Sequence, residues 1–157
     1  MSPPNPLCLS EKTVEEMSRH AQQTFPEECC GVIFFNGATD HAKRLTNIQN
    51  KLHSLDPLTY PRTAVIAYAI DLKELETAMS EAEAAGAKLK AFYHSHPNHD
   101  AYFSDEDKAF ACPFGEPNFP DVAQIVLSIY AGAVKRICAY AWSDSAKDFV
   151  EVPVKKV

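Results

Sequence analysis

Residues 89–107 read LKAFYHSHPNHDAYFSDED, and the fold of this stretch sets what the chain can do. Leu89 to His96 reads as a strand leading directly into Pro97 and a polar loop. Side chains two apart on a strand project from the same face, so His94 and His96 can aim both imidazoles at one point. A short helix begins at Ser104, and Asp107 lies on its first turn, where a carboxylate can return to the strand end. His99 is the closest rival ligand, but it sits in the loop, out of register with the pair.

Outward from this stretch, the remaining segments suggest a mixed sheet flanked by helices. Upstream, Ser10 is placed to cap a helix whose positions Val14, Met17, Ala21 and Phe25 share one face, with Pro26 as its stop. Cys29 to Phe35 is a continuous apolar run of strand length that enters a tight turn at Asn36-Gly37. Ala42 to Thr46 is its expected partner. Asn47 to Arg62 has two prolines and no period and reads as a loop, and Thr63 to Ile70 reads as a strand. Asp71 stands at an N-cap before Leu72, Leu75, Met79 and Ala82, which fall on one helical face that Gly86 ends. Downstream, Cys112 to Pro120 reads as a surface loop. Val122 to Tyr130, Lys135 to Trp142 and Phe149 to Val154 read as three strands.

The pattern has a chemical meaning. Two imidazoles and one carboxylate leave a fourth tetrahedral position open, the arrangement of a catalytic zinc rather than a structural one. Such a metal acidifies a water to a pKa of roughly 7, and a base is still needed to take its proton and pass it on. Glu28 is the candidate, because a carboxylate at the entrance of an otherwise apolar strand is hard to justify on packing grounds. Glu27 competes, but neighbouring strand residues point to opposite faces.

The pattern His-x-His-x7-Ser-x-x-Asp, met by His94, His96, Ser104 and Asp107, resembles the JAMM signature of the MPN-plus metallopeptidases. Pro26, Glu28, Cys30 and Gly31 match that family's second element, Pro-x-Glu-x-Cys-Gly, at the start of the first strand. Where many small bacterial members have Pro before the Ser, this chain has Phe103. The resemblance implies a JAB-like MPN domain of mixed α+β type, related to the cytidine-deaminase-like fold, with a curved mixed sheet flanked by helices. It covers a core of about 7–154 within one domain spanning 1–157. It also implies one Zn2+ per chain on His94, His96 and Asp107, Glu28 as general base and acid, and Ser104 as a donor to the oxyanion. The implied substrate is a ubiquitin-like or sulfur-carrier protein, cut after its C-terminal Gly-Gly. Two other readings compete: a metal-free MPN scaffold, against which the complete residue set argues, and a zinc amidase acting on a small molecule.

Composition narrows the field. The chain has 157 residues, 46% hydrophobic and 23% charged, with 15 Lys and Arg against 21 Asp and Glu for a net charge of -6. Nucleic acid is not an expected partner, since that binding rests on Lys and Arg neutralising phosphates. Met1 to Leu9 has no basic residue and no long apolar run, so neither a signal peptide nor a membrane span is expected and a cytoplasmic location is. Five cysteines without a CxxC pair, two of them the adjacent Cys29 and Cys30, read as reduced thiols. The deaminase pattern His-x-Glu with Pro-Cys-x-x-Cys is absent, as is His-Glu-x-x-His.

Overall fold

The computed structural model describes residues 4–157. Its elements run β1 (Leu7–Leu9), α1 (Glu11–Thr24), β2 (Cys30–Phe35), β3 (Asp40–Leu45), α2 (Gln49–Leu55), α3 (Leu72–Ala84), β4 (Lys88–Pro97) and α4 (Asp105–Ala111). Strands β5 (Ala123–Tyr130), β6 (Ala133–Ser143), β7 (Asp148–Val152) and β8 (Val154–Lys156) complete the chain. The main sheet has six strands in the order β3-β2-β4-β5-β6-β7. Only the β4–β5 pairing in it is parallel; the others are antiparallel, which makes the sheet mixed. Helices flank this sheet, which gives the mixed α+β architecture the sequence led us to expect.

Strand alternation divides the core between the two faces. On one, Ile33, Ala91, Tyr93, Ile125, Leu127 and Ile129 pack against Met17 and Ala21 of α1. This helix is capped as its sequence directs, with Ser10 Oγ accepting from the Thr13 amide at 3.2 Å. On the other face, Cys30, Val32, Phe34 and Phe92 pack against Leu75, Ala78 and Ala82 of α3. A third cluster, Val126, Cys138 and Phe149 with Phe103 and Ala111, seats α4 on that same second face. His94 and His96 alternate with Tyr93 and Ser95 and so face the side that α3 and α4 share. His20 is buried beneath the first face, with Nδ1 2.7 Å from the Tyr93 hydroxyl. Burial and nearby Arg44 push its pKa down to about 4, so it serves there as a neutral core residue.

Three sequence expectations need correction. Asn47 to Arg62 is not loop throughout, since it contains α2. Thr63 to Ile70 forms no strand; only Ile70 makes an isolated bridge, to Asn47. The apolar run there divides its residues, with Ala64 and Ile70 buried but Val65 44% and Ile66 48% exposed. The Phe149 to Val154 run breaks at Pro153, which has no N–H to extend a ladder. Beyond it β8 leaves the main sheet and pairs in parallel with β1.

Candidate metal centre

Two strands and a short helix build the site. Strand β4 carries the imidazoles, and the start of β2 is locked beside it. The Cys29 amide donates to Ser95 Oγ at 2.8 Å, the Ser95 amide donates to the Cys29 carbonyl at 3.1 Å, and Cys30 sits opposite His94 in the ladder. Glu28, one residue before these bonds, is thereby fixed next to the His pair, with only 6% of its surface exposed. After His96, Asn98 adopts φ 58, a left-handed conformation that Asn tolerates, and its amide bonds the Ile129 carbonyl at 2.6 Å. The chain then turns back to α4.

Helix α4 delivers the third group through a capping box. Ser104 Oγ accepts from the Asp107 amide at 3.1 Å, and Asp107 Oδ2 accepts from the Ser104 amide at 3.0 Å. The same Oδ2 lies 3.3 Å from His94 Nε2 and 3.4 Å from His96 Nε2, and the two Nε2 atoms are 3.1 Å apart. These separations match the edge of about 3.3–3.4 Å that a tetrahedron of ligands at zinc distances requires, so the donor set fits such an ion. His96 Nδ1 is 2.9 Å from the Asp100 carbonyl, which must accept its proton and so leaves the Nε2 lone pair facing inward. Tyr68 stacks on the His94 ring at 4.4 Å between centroids, and Tyr102 meets His96 edge-on at 5.1 Å.

Glu28 is the second carboxylate at the imidazole pair. Ligand atoms of Glu28, His94 and His96 lie within 4.8 Å of one another, so this trio could also hold a metal ion. The two carboxyls differ in character. Burial, with the charges of Asp107 and Glu106 adding and Arg62 opposing, pushes the Glu28 carboxyl up to about 9. Burial acts in the same sense on Asp107, but the adjacent His94 and His96 and the Ser104 amide outweigh it and hold that carboxyl well below its ordinary range. Burial in turn lowers the His94 pKa, partly offset by Asp107. Without a metal, Asp107 is thus held as the anion, while Glu28 is held in its protonated form.

Glu28, His96, Ser104 and Asp107 line one cleft of about 790 Å³, and His94 lies beneath it under Tyr68. His99 lines the cleft without joining the pair. Sequence reading missed the residues that hold the far wall. Asn47 Nδ2 donates to the carbonyls of Glu28 at 2.9 Å and Ala67 at 3.2 Å, while its Oδ1 accepts from Gln49 and Ala69. No periodicity marks such a residue. Tyr68 and Arg62 belong to the same wall.

Comparison with known proteins identifies the family and the fold. Residues 10–143 match the family model described as prokaryotic homologs of the JAB domain. No match was found among curated proteins. The fold is similar to a solution structure of a protein from Desulfitobacterium hafniense, with TM-score 0.72 and 21% identity over 96% of this chain and 92% of that one. A solution structure of a Salinibacter ruber protein is similar with TM-score 0.62 and 19% identity over 96% and 91% of the two chains. A JAB1/MPN domain protein from Archaeoglobus fulgidus, solved as a crystal structure, gives TM-score 0.52 and 13% identity over 96% and 100%. The match of the family model across most of the sequence, on a chain with this topology, establishes that the protein belongs to the family of prokaryotic homologs of the JAB domain.

Proposed function

We propose that this protein is a zinc-dependent metallopeptidase that hydrolyses the peptide or isopeptide bond after the C-terminal Gly-Gly of a ubiquitin-like or sulfur-carrier protein. The observation that carries the reading is the convergence of His94 Nε2, His96 Nε2 and Asp107 Oδ2 at 3.1–3.4 Å beside the buried Glu28, at the floor of an open cleft. Zinc held there supplies Lewis acidity and an acidified water. Glu28 takes the proton of the attacking water and returns it to the leaving amine; a zinc cation bound beside it would bring its carboxyl down from the value of about 9 that burial and the neighbouring carboxylates impose without metal. Ser104 Oγ accepts from the Asp107 amide, which leaves its O–H free to donate to the developing oxyanion.

The cleft suits an extended tail. Tyr60, Ile66, Tyr102 and Phe110 give it apolar walls, and a Gly-Gly end has no side chains to hold its backbone away from the floor. All five cysteines are free thiols, which fits a reducing cytoplasm. Among the described residues, no helix is long and apolar enough to cross a membrane. The test is mass spectrometry of a Gly-Gly-Cys tail and a Gly-Gly-lysine conjugate incubated with zinc-loaded enzyme. Cleavage after Gly-Gly in either supports the proposal. If both stay intact while a small amide is hydrolysed, the enzyme is an amidase; if nothing is cut, the domain is a scaffold.

A further inference from the structure

Among the described residues lining the cleft, Arg62 is the single permanent cation, set against the carboxylates of Glu28, Asp105, Glu106 and Asp107. Its backbone is fastened and its side chain is not. The buried Gln49 donates from Nε2 to the Arg62 carbonyl at 2.9 Å, and Asn50 Oδ1 accepts from the Ala64 amide at 2.8 Å. The Ala64 carbonyl in turn accepts from the Glu28 amide at 2.8 Å, so the Arg62 loop is tied directly to the residue that carries the base. The guanidinium itself pairs with the carboxylate of Glu106 on α4, and both side chains are about half exposed, at 48% and 54%. Exposed pairs of this kind are weak. Another carboxylate can therefore replace Glu106 at small cost, and the planar fork of Arg is the side chain best matched to one.

The position of the loop indicates which carboxylate. Glu28 must return its proton to the leaving amine, so the leaving residue lies against Glu28 and hence under the loop tied to it. When that residue is a single amino acid, its free carboxylate is one carbon away from the amine. The lysine of a folded conjugate has no carboxylate at that place. We propose that Arg62 is a specificity-determining residue that exchanges Glu106 for the terminal carboxylate of a short leaving extension, so that the site favours trimming of a C-terminal tail over release from lysine. This rests on the peptidase reading above.

The test compares the peptide Gly-Gly-Ala with its C-terminal amide. Binding to the zinc-loaded protein is followed by calorimetry and by the Arg62 Nε–Hε resonance, and cleavage is followed on a carrier ending in Gly-Gly-Ala or its amide. The acid should bind about tenfold tighter than the amide and shift the Arg62 signal, with the preference appearing in KM rather than kcat. Arg62→Gln should erase the preference, and Glu106→Gln should strengthen binding of the acid. Equal binding of the two peptides, no binding of the acid, or a preference that survives Arg62→Gln overturns the proposal, the last because the carboxylate would then be held by the metal. If neither carrier is cut while the Arg62-dependent preference persists, the peptidase reading fails and the carboxylate site stands.

Discussion

Glu28 is the residue on which energetics and chemistry meet. In the metal-free protein burial, with the carboxylates of Asp107 and Glu106 adding, pushes its carboxyl from the ordinary 4.5 up to about 9. The folded state then keeps a proton that the unfolded chain releases, so between these values its stability falls as pH rises, by at most about 1.4 kcal/mol per unit. Glu28→Gln carries no charge at any pH. It should leave the melting temperature of the metal-free protein unchanged at pH 4 and raise it at pH 8, as thermal unfolding at the two values would show; a lower melting temperature at pH 8 would contradict the electrostatic account. If the protein is the proposed peptidase, the same substitution in its zinc-loaded form should cost about 10²-fold or more in turnover, because an amide can hydrogen-bond the water but cannot accept its proton. Full turnover would move the base elsewhere, with Glu27 the next residue to replace.

Among the elements, β2 and α4 bear the closest constraints. Gly31 lies opposite Tyr93 in the β2–β4 ladder, and a Cβ there would overlap the Tyr93 ring, which is itself held by His20. Gly31→Ala should therefore destabilise the protein by about 1–3 kcal/mol, the usual result of overpacking, measured by denaturant titration. A neutral effect would mean that the Tyr93 ring moves aside freely. Ser104→Ala removes the cap of α4, at about 0.5–2 kcal/mol. It should also slow the reaction by about 10²-fold to 10³-fold if the hydroxyl serves the oxyanion. A stability loss with unchanged kcat would leave Ser104 only its capping role. The same contrast explains what could be read beforehand. The His pair and α3 announce themselves through period, because alternate residues on β4 and every third or fourth residue on α3 face one side, and β2 announces itself as a continuous apolar run of strand length. The wall formed by residues 47–70 has no period. Its shape is fixed by the Asn47 and Gln49 side chains bonding backbone carbonyls of Glu28, Ala67 and Arg62, which a pattern of apolar residues does not encode. For the same reason the apolar run from Ala64 to Ile70 imitated a strand. The three-residue strands β1 and β8 are too short to show alternation.

Over the whole molecule, one face of the sheet is sealed by α1, while the other is shared by α3 and α4 with the site between their clusters. A metal bound there would join β4 to α4, which otherwise meet through short contacts at Asp107, and so should stabilise the entire fold by mass action. Removing it with a chelator should lower the melting temperature, and restoring zinc should recover it. The proposed function requires His94, His96 and Asp107 to hold one zinc ion while Glu28 stands beside it as the base. Elemental analysis of zinc per chain decides this, applied to wild type, a His94→Ala, His96→Ala double variant, Asp107→Ala and Glu28→Gln. The expected result is one zinc per chain in wild type and Glu28→Gln, and loss of zinc in the other two. Zinc retained by the double variant, or lost from Glu28→Gln while Asp107→Ala keeps it, would contradict the account.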